Sequence, residues 1–175
     1  MRTMFLALAG LTAIALTSSL ATASDVEVKG PHICCKTCVN VVGKILGKVD
    51  GVSDVSADAA TKTVKFKAKD AAAAKAGFKA LIDGGFFGSA TDDGKEIKVD
   101  LPENKKGEKV DAISVKDVHV CCGMCVNAVK KAFDGSKVTF EGAGPQKTVR
   151  IEGGTIERSA VIETLRKAGF NGKIE

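Results

Sequence analysis

The chain has 175 residues, which is enough for one domain of ordinary size or for two small ones. Hydrophobic residues make up 45% and charged residues 27%, a balance that excludes a disordered chain. The formal net charge is +5, but basic and acidic residues are interleaved along the whole length. Because no basic patch stands out, we expect neither nucleic acid nor a membrane surface as a partner.

Residues 1–23 have the pattern of a secretory signal peptide. Arg2 supplies a positive charge, residues 5–20 are mostly apolar, and Ala21 and Ala23 place small side chains where a signal peptidase requires them. The alternative is an uncleaved membrane anchor, but the apolar run is short for a bilayer span, and Thr and Ser interrupt it. We therefore expect residues 1–23 to be removed, a periplasmic or secreted location, and no membrane contact afterwards.

The rest of the chain consists of two copies of one pattern. Residues 26–40 align with residues 113–127, and a Lys-Thr-Val segment and a Gly-Phe pair follow in the same order in both copies. These repeated segments are residues 62–64 and 147–149, and residues 85–86 and 169–170. A polar and charged segment separates the copies, as a linker would. We predict domain 1 at residues 24–100, a linker at 101–112 and domain 2 at 113–175.

Each copy contains the same order of predicted elements. A short alternating strand is followed by a Cys-bearing loop, a helix, two alternating strands, a second helix and a final strand. In the first copy these elements contain Val26 and Val28; Val39, Val42 and Leu46; residues 52–57 and 63–67; Ala74, Phe78, Leu81 and Ile82; and Ile97 and Val99. In the second copy they contain Ile113 and Val115; Val126, Val129 and Phe133; residues 137–141 and 148–152; Ala160, Ile162 and Leu165; and Ile174.

The order β-α-β-β-α-β is typical of the ferredoxin-like fold. We therefore predict an α+β chain made of two tandem ferredoxin-like βαββαβ domains, each with two helices on one face of an antiparallel sheet. A core of this size is marginal, so a bound metal would add stability.

All six cysteines fall in two copies of the motif His-x-Cys-Cys-x-x-Cys, at residues 32–38 and 119–125, which also contain both histidines. The two-residue spacing lets both sulfurs of a Cys-x-x-Cys pair face one point at the start of a helix. Backbone N–H groups and the helix dipole favour thiolates there. Thiolates select soft ions such as Cu(I), Zn(II) and Hg(II), and two thiolates suit Cu(I). Adding Cys34 and His32 would give the Cys₃His set of a structural zinc site.

The loop, the helix and the βαββαβ order resemble the heavy-metal-associated domain family, which includes copper chaperones and the periplasmic mercury-binding protein. In that family the two cysteines of the pair bind the metal, so the resemblance implies four ligands here: Cys35, Cys38, Cys122 and Cys125. The family's usual Gly-Met before the motif is replaced by His-Ile or His-Val, and a further cysteine precedes each pair. Four residues are therefore candidate additional metal ligands: Cys34, Cys121, His32 and His119. For the histidines, the alternative is a packing role that fixes the loop.

These features predict an exported protein that captures a soft metal ion and passes it to a partner's cysteine pair. We expect Cu(I) first and Zn(II) or Hg(II) as other ions, one ion per domain, with a metal-donor or metal-acceptor protein as partner. A site shared by both loops is the alternative to two separate sites. The same cysteines leave open a thiol–disulfide redox or sensing module, or structural disulfides. We expect no catalytic residues and no enzyme, because every His lies in the two motifs.

Overall fold

A computed structural model describes residues 23–102 and 107–175. The predicted signal peptide lies outside the described residues except for Ala23, and so does the middle of the predicted linker. Within the two described ranges, no helix combines the length and the apolar character needed to cross a bilayer.

The first half folds into a five-stranded sheet with two helices. Its elements are β1 (Ser24–Lys29), α1 (Lys36–Leu46), β2 (Val52–Asp58), β3 (Thr63–Ala68), α2 (Ala71–Asp83), β4 (Ser89–Asp92) and β5 (Lys95–Glu96). The strand order is β2-β3-β1-β4-β5, and every pairing is antiparallel. The first strand is therefore central, between β3 and β4, as the ferredoxin-like order requires.

The second half repeats this arrangement with a four-stranded sheet. Its elements are β6 (Lys109–His119), α3 (Gly123–Ala132), β7 (Lys137–Glu141), β8 (Gln146–Glu157), α4 (Arg158–Lys167) and β9 (Lys173–Ile174). The strand order is β7-β8-β6-β9. The predicted fold class is confirmed: the chain is α+β, with two tandem ferredoxin-like units.

The first loop of each unit is fixed by the buried face of the helix that follows it. In α1, Cys38, Val42 and Leu46 recur every four residues and are fully buried. In α3, Cys125 and Val129 follow the same spacing and are also fully buried. Residues four apart share one face of a helix, so the second cysteine of each pair belongs to the face that packs against the sheet. This packing fixes the position of its sulfur.

The prediction for the last strand of the first copy is wrong. Ile97 and Val99 lie outside any strand, and β4 pairs with β1 in their place. A tight turn at Asp93 and Gly94, both with positive φ, folds β5 back on β4. Ile97 then only donates its N–H to the carbonyl of Ala90, at 2.8 Å. The strand was missed because its sequence, Ser-Ala-Thr-Asp, lacks large alternating apolar residues.

The long strands of the second half extend beyond the predicted ones. Strand β6 begins at Lys109, inside the segment interpreted as linker, and Lys109 is in register with Glu157 at the end of β8. The pairing of β6 with β8 has two register shifts, one between Val110 and Ala112 and one between Val115 and Val118. Residues 109–112 therefore belong to strand β6.

The two halves meet at their repeated Gly-Phe pairs. Phe86 and Phe170 form an antiparallel β-bridge across the halves. The N–H of Phe87 donates to the carbonyl of Gly169 at 3.0 Å, and the N–H of Asn171 donates to the carbonyl of Gly85 at 2.9 Å. These two hydrogen bonds join equivalent positions in opposite directions, so the halves are related by an approximate twofold axis.

Candidate metal centre

Each Cys-x-x-Cys pair lies across the start of a helix. Cys35 is the N-cap of α1 and Cys122 is the N-cap of α3, and both have extended backbones, with φ of −157° and −155°. Neither side chain makes a capping hydrogen bond, so both sulfurs remain available to a ligand. The Sγ atoms of Cys35 and Cys38 are 3.7 Å apart, and those of Cys122 and Cys125 are 3.8 Å apart. Each pair therefore converges on one point, as the spacing predicts.

The structure also brings the two pairs together. The Sγ of Cys121 lies 3.4 Å from that of Cys38 and 3.6 Å from that of Cys35. In the equivalent arrangement, the Sγ of Cys34 lies 3.5 Å from those of both Cys122 and Cys125. All six cysteines of the chain are free thiols. The two cysteine loops therefore lie against each other, which is the arrangement that the alternative of a shared site requires.

We call these six residues the thiol cluster: Cys34, Cys35, Cys38, Cys121, Cys122 and Cys125. Its geometry suits a thiophilic ion. A metal 2.3 Å from each sulfur needs sulfurs about 4.0 Å apart in a trigonal plane and about 3.8 Å apart in a tetrahedron. The eight Sγ–Sγ contacts of the cluster measure 3.4–3.8 Å. Small shifts of the side chains are enough to accommodate metal–sulfur bonds.

The thiol cluster is only partly covered. Cys38 and Cys125 are fully buried, whereas the other four cysteines retain some exposure. Met124, between Cys122 and Cys125, is 53% exposed. The side of the cluster formed by the N-cap cysteines is therefore partly exposed to solvent.

Each histidine of the motifs stacks on the phenylalanine of the opposite half. The ring of His32 lies 4.4 Å from that of Phe170, and the ring of His119 lies 4.5 Å from that of Phe86. These stacks hold each loop against the other unit. The packing role foreseen for the histidines is thus present, but across the two halves.

The histidines also have unused hydrogen-bonding capacity. Nε2 of His32 and both ring nitrogens of His119 are buried and have no hydrogen-bond partner among the described residues. A nitrogen of His32 and the sulfurs of Cys34 and Cys125 lie within 4.8 Å of one another. Burial lowers the pKa of His32, which keeps the ring neutral and able to ligate a metal. The structure therefore retains His32 as a candidate additional ligand.

The thiols of the cluster do not ionise independently. Burial raises the pKa of Cys34 to about 12 and also raises the pKa of Cys121. The neighbouring Cys125 thiol lowers the pKa of Cys38, and Cys38 in turn raises the pKa of Cys125. Burial opposes ionisation of Cys122 too, but the nearby backbone N–H of Cys125 and the neighbouring thiols lower its pKa to about 7. The raised pKa values of Cys34, Cys121 and Cys125 oppose ionisation of these three thiols, and a bound cation would favour it.

Sequence reasoning missed the residues that join the halves. Gly85 and Gly169 have φ of +90° and +85°, and each faces the backbone of the other unit. A Cβ at Gly85 would lie 2.5 Å from the backbone nitrogen of His119, and a Cβ at Gly169 would lie 2.6 Å from the backbone nitrogen of His32. The repetition of the Gly-Phe pairs was the available signal, but repetition alone indicates a repeat and does not indicate a contact between the halves.

Comparison with known proteins places one family domain within the chain. Residues 31–83 match the family model described as "Heavy-metal-associated domain". Among solved structures, the chain is similar to the N-terminal soluble domains of Bacillus subtilis CopA, with 18% identity over 89% of this chain and 96% of that one and a TM-score of 0.30. No curated protein matches significantly. Residues 31–83, which carry the first cysteine motif, are therefore similar to a heavy-metal-associated domain, and this match spans less than half of the chain.

Proposed function

We propose that the protein is an exported carrier that captures a thiophilic metal ion, Cu(I) first, and passes it to a partner. The observation that supports this most directly is the convergence of six free thiols on one partly exposed cluster. Half of these thiols belong to a segment that matches the heavy-metal-associated domain. The other half come from the second copy of the motif, which we propose to be a further domain of this kind.

The donor set favours a soft ion. The candidate ligand groups among the described residues contain cysteines and one histidine and no carboxylate. Thiolates and imidazole select Cu(I), Zn(II) and Hg(II) over hard ions such as Mg²⁺ and Ca²⁺. We place Cu(I) first because it accepts two or three sulfur ligands, which is the number that each part of the cluster offers.

Transfer requires that a partner's thiols reach the ion. Cys35 and Cys122 are partly exposed at the helix starts, so they can release their bonds to an ion while the buried Cys38 and Cys125 retain it. A partner's cysteine pair would enter here and replace the ligands one at a time. We therefore propose a metal-donor or metal-acceptor protein as the partner, and a binding role without catalysis.

The experiment is native mass spectrometry of residues 24–175, reduced without oxygen and titrated separately with Cu(I), Zn(II) and Hg(II). Retention of Cu(I) against a competing chelator, with weaker retention of Zn(II), would support the proposal. A variant that replaces both Cys35 and Cys38 with Ser should bind fewer ions. Thr37→Ser, an exposed change in the first turn of α1, should bind as the unaltered protein does. Failure of the unaltered protein to retain any soft ion would reject the carrier function.

Export has its own test. We propose that residues 1–23 direct the chain out of the cytoplasm and are then removed, leaving it in the periplasm or the medium. Expression of the full chain in a Gram-negative host, followed by fractionation and intact-mass measurement, should give a periplasmic product that begins at Ser24. An uncleaved product in the membrane fraction would favour the anchor alternative.

The thiol contacts also favour a second candidate function, in thiol–disulfide exchange. The Sγ atoms of Cys38 and Cys121 are in contact, so these two thiols could reduce a disulfide substrate to two thiols and form one disulfide themselves. A metal-free assay with a model disulfide decides the question. Stoichiometric reduction, together with absence of metal retention, would replace the carrier proposal with the redox one.

A further inference from the structure

We propose that the thiol cluster holds at least two metal ions joined by bridging thiolates, each on a three-sulfur face that draws ligands from both halves. This inference rests on the proposed function and concerns the number and arrangement of the ions that the cluster binds. Two independent Cys-x-x-Cys sites are replaced by one polynuclear site that neither half can form alone.

The two faces follow from the distances within the cluster. The first face contains Cys35, Cys38 and Cys121, with Sγ–Sγ edges of 3.7, 3.6 and 3.4 Å. The second contains Cys34, Cys122 and Cys125, with edges of 3.5, 3.5 and 3.8 Å. Each face thus combines the Cys-x-x-Cys pair of one half with the preceding cysteine of the other half. The approximate twofold axis exchanges the two faces.

This arrangement gives a role to the third cysteine of each motif. Cys34 and Cys121 lie at the positions that a single Cys-x-x-Cys site does not need. Each also contacts the second cysteine of its own pair, since the Sγ of Cys34 is 3.8 Å from that of Cys38 and the Sγ of Cys121 is 3.8 Å from that of Cys125. Each therefore touches sulfurs of both faces. A thiolate in such a position can bridge two ions.

Charge favours more than one ion. Six thiolates close together in a partly buried site repel one another strongly, and a single monovalent ion leaves most of that charge uncompensated. Each further ion neutralises charge and allows another thiol to lose its proton. Loading should therefore be cooperative, because the first ion fixes the bridging sulfurs that the second ion also binds.

The approach of the two halves on which the cluster depends is allowed by Gly85 and Gly169. A Cβ at either position would collide with the backbone of the other half, at 2.5 Å from the nitrogen of His119 or from the carbonyl oxygen of Gly30. The double variant Gly85→Ala/Gly169→Ala should therefore separate the halves while retaining all six cysteines. Gly94→Ala/Gly144→Ala is a matched control, because these glycines have φ of +79° and +77° and a Cβ would meet nothing within 4 Å.

The experiment combines native mass spectrometry with Cu X-ray absorption spectroscopy on the reduced full mature chain. In the unaltered protein and the control, we expect a copper–copper scattering path and three sulfurs per copper. When half of the copper sites are filled, the fraction of chains that carry one ion should be at least about fivefold lower than independent binding would give. In the interface variant we expect the copper–copper path to be lost and loading to become statistical, with copper still bound by each half.

A second variant keeps the test decisive if the interface variant fails to fold. Cys34→Ser/Cys121→Ser retains both Cys-x-x-Cys pairs, and we expect the copper–copper path to be lost and the coordination to fall from three sulfurs to two. Two independently bound ions with two sulfurs each in the unaltered protein, unchanged by this substitution, would overturn the cluster and leave the carrier function intact. Absence of copper binding in the unaltered protein would reject both.

Discussion

The sulfur atoms of Cys38 and Cys121 lie 3.4 Å apart, although 83 residues separate these cysteines in the chain. Cys38 is fixed by the buried face of α1, and Cys121 belongs to the loop before α3. Their contact therefore depends on the fold of both units and on the interface between them. Properties of the metal centre should respond to changes at that interface as well as to changes of the ligands.

Replacement of Cys38 by Ser should weaken Cu(I) binding at least tenfold, which corresponds to about 1.4 kcal/mol of binding free energy. Ser replaces a buried soft sulfur with a hard oxygen at a position that contacts three other cysteines. Competition with a Cu(I) chelator under anaerobic conditions measures the change. Thiol content should be checked before each titration, because an oxidised sample would mimic the loss.

The control for this measurement is Thr37→Ser, which alters the exposed residue before Cys38 without removing a sulfur. It should leave the dissociation constant unchanged. Equal Cu(I) affinities for Cys38→Ser and Thr37→Ser would show that Cys38 is not a ligand.

Replacement of Phe170 by Ala should lower the free energy of unfolding by about 3–5 kcal/mol, the usual cost of removing a buried phenylalanine. Phe170 is 1% exposed, and its ring stacks on His32 of the other half. Urea denaturation of the metal-free protein, followed by circular dichroism, measures this loss. The variant should also bind Cu(I) less cooperatively, because its His32 loop has lost its support.

The matched comparison for Phe170→Ala is Phe140→Ala in β7, where the side chain is only half-buried and lies away from the interface. We expect a smaller loss of stability there and unchanged Cu(I) loading. If both variants changed Cu(I) loading equally, the effect would reflect general destabilisation and not the stack on His32.

Much of the fold could be predicted because its signals are local. Val26 and Val28 alternate along β1, and residues four apart form the buried face of α1. The second copy of the sequence pattern shows the same signals again. The helix starts at Cys35 and Cys122 could also be predicted locally, because the two cysteines of each pair lie within a single turn of helix.

The shared site could not be predicted in this way, because no local pattern encodes how two units pack. The interface is formed by backbone groups of Gly85 and Gly169 and by the bridge between Phe86 and Phe170. A backbone hydrogen bond does not require a particular side chain, so the sequence indicates it only where the backbone geometry requires glycine. The Gly-Phe repetition indicates two copies of one unit, but it does not indicate that these pairs pack against each other.

Replacement of Asp70 by Ala should lower stability by about 1 kcal/mol and leave metal binding unchanged. Asp70 is the N-cap of α2, and its carboxylate accepts a hydrogen bond from the N–H of Ala73 at 2.8 Å. Thermal or urea unfolding measures the loss, and the exposed Asp50→Ala provides the control. A change in Cu(I) stoichiometry caused by Asp70→Ala would show that the cluster depends on α2, although α2 contributes none of its six thiols.

The metal-free protein should lose stability as the pH rises from about 8.5 towards 12, because burial raises the pKa of Cys34 to about 12 in the folded chain. An unfolded cysteine has a pKa of about 8.5, so within this window the folded state holds a proton that the unfolded state has released. The stabilising contribution is therefore complete below about pH 8.5 and is lost as the pH approaches 12. Urea midpoints measured across the range, under reducing and metal-free conditions, should fall less steeply for Cys34→Ser than for Thr37→Ser. Equal slopes for the two variants would show that Cys34 keeps an ordinary pKa, and the cluster would then confine charge less tightly than its burial implies.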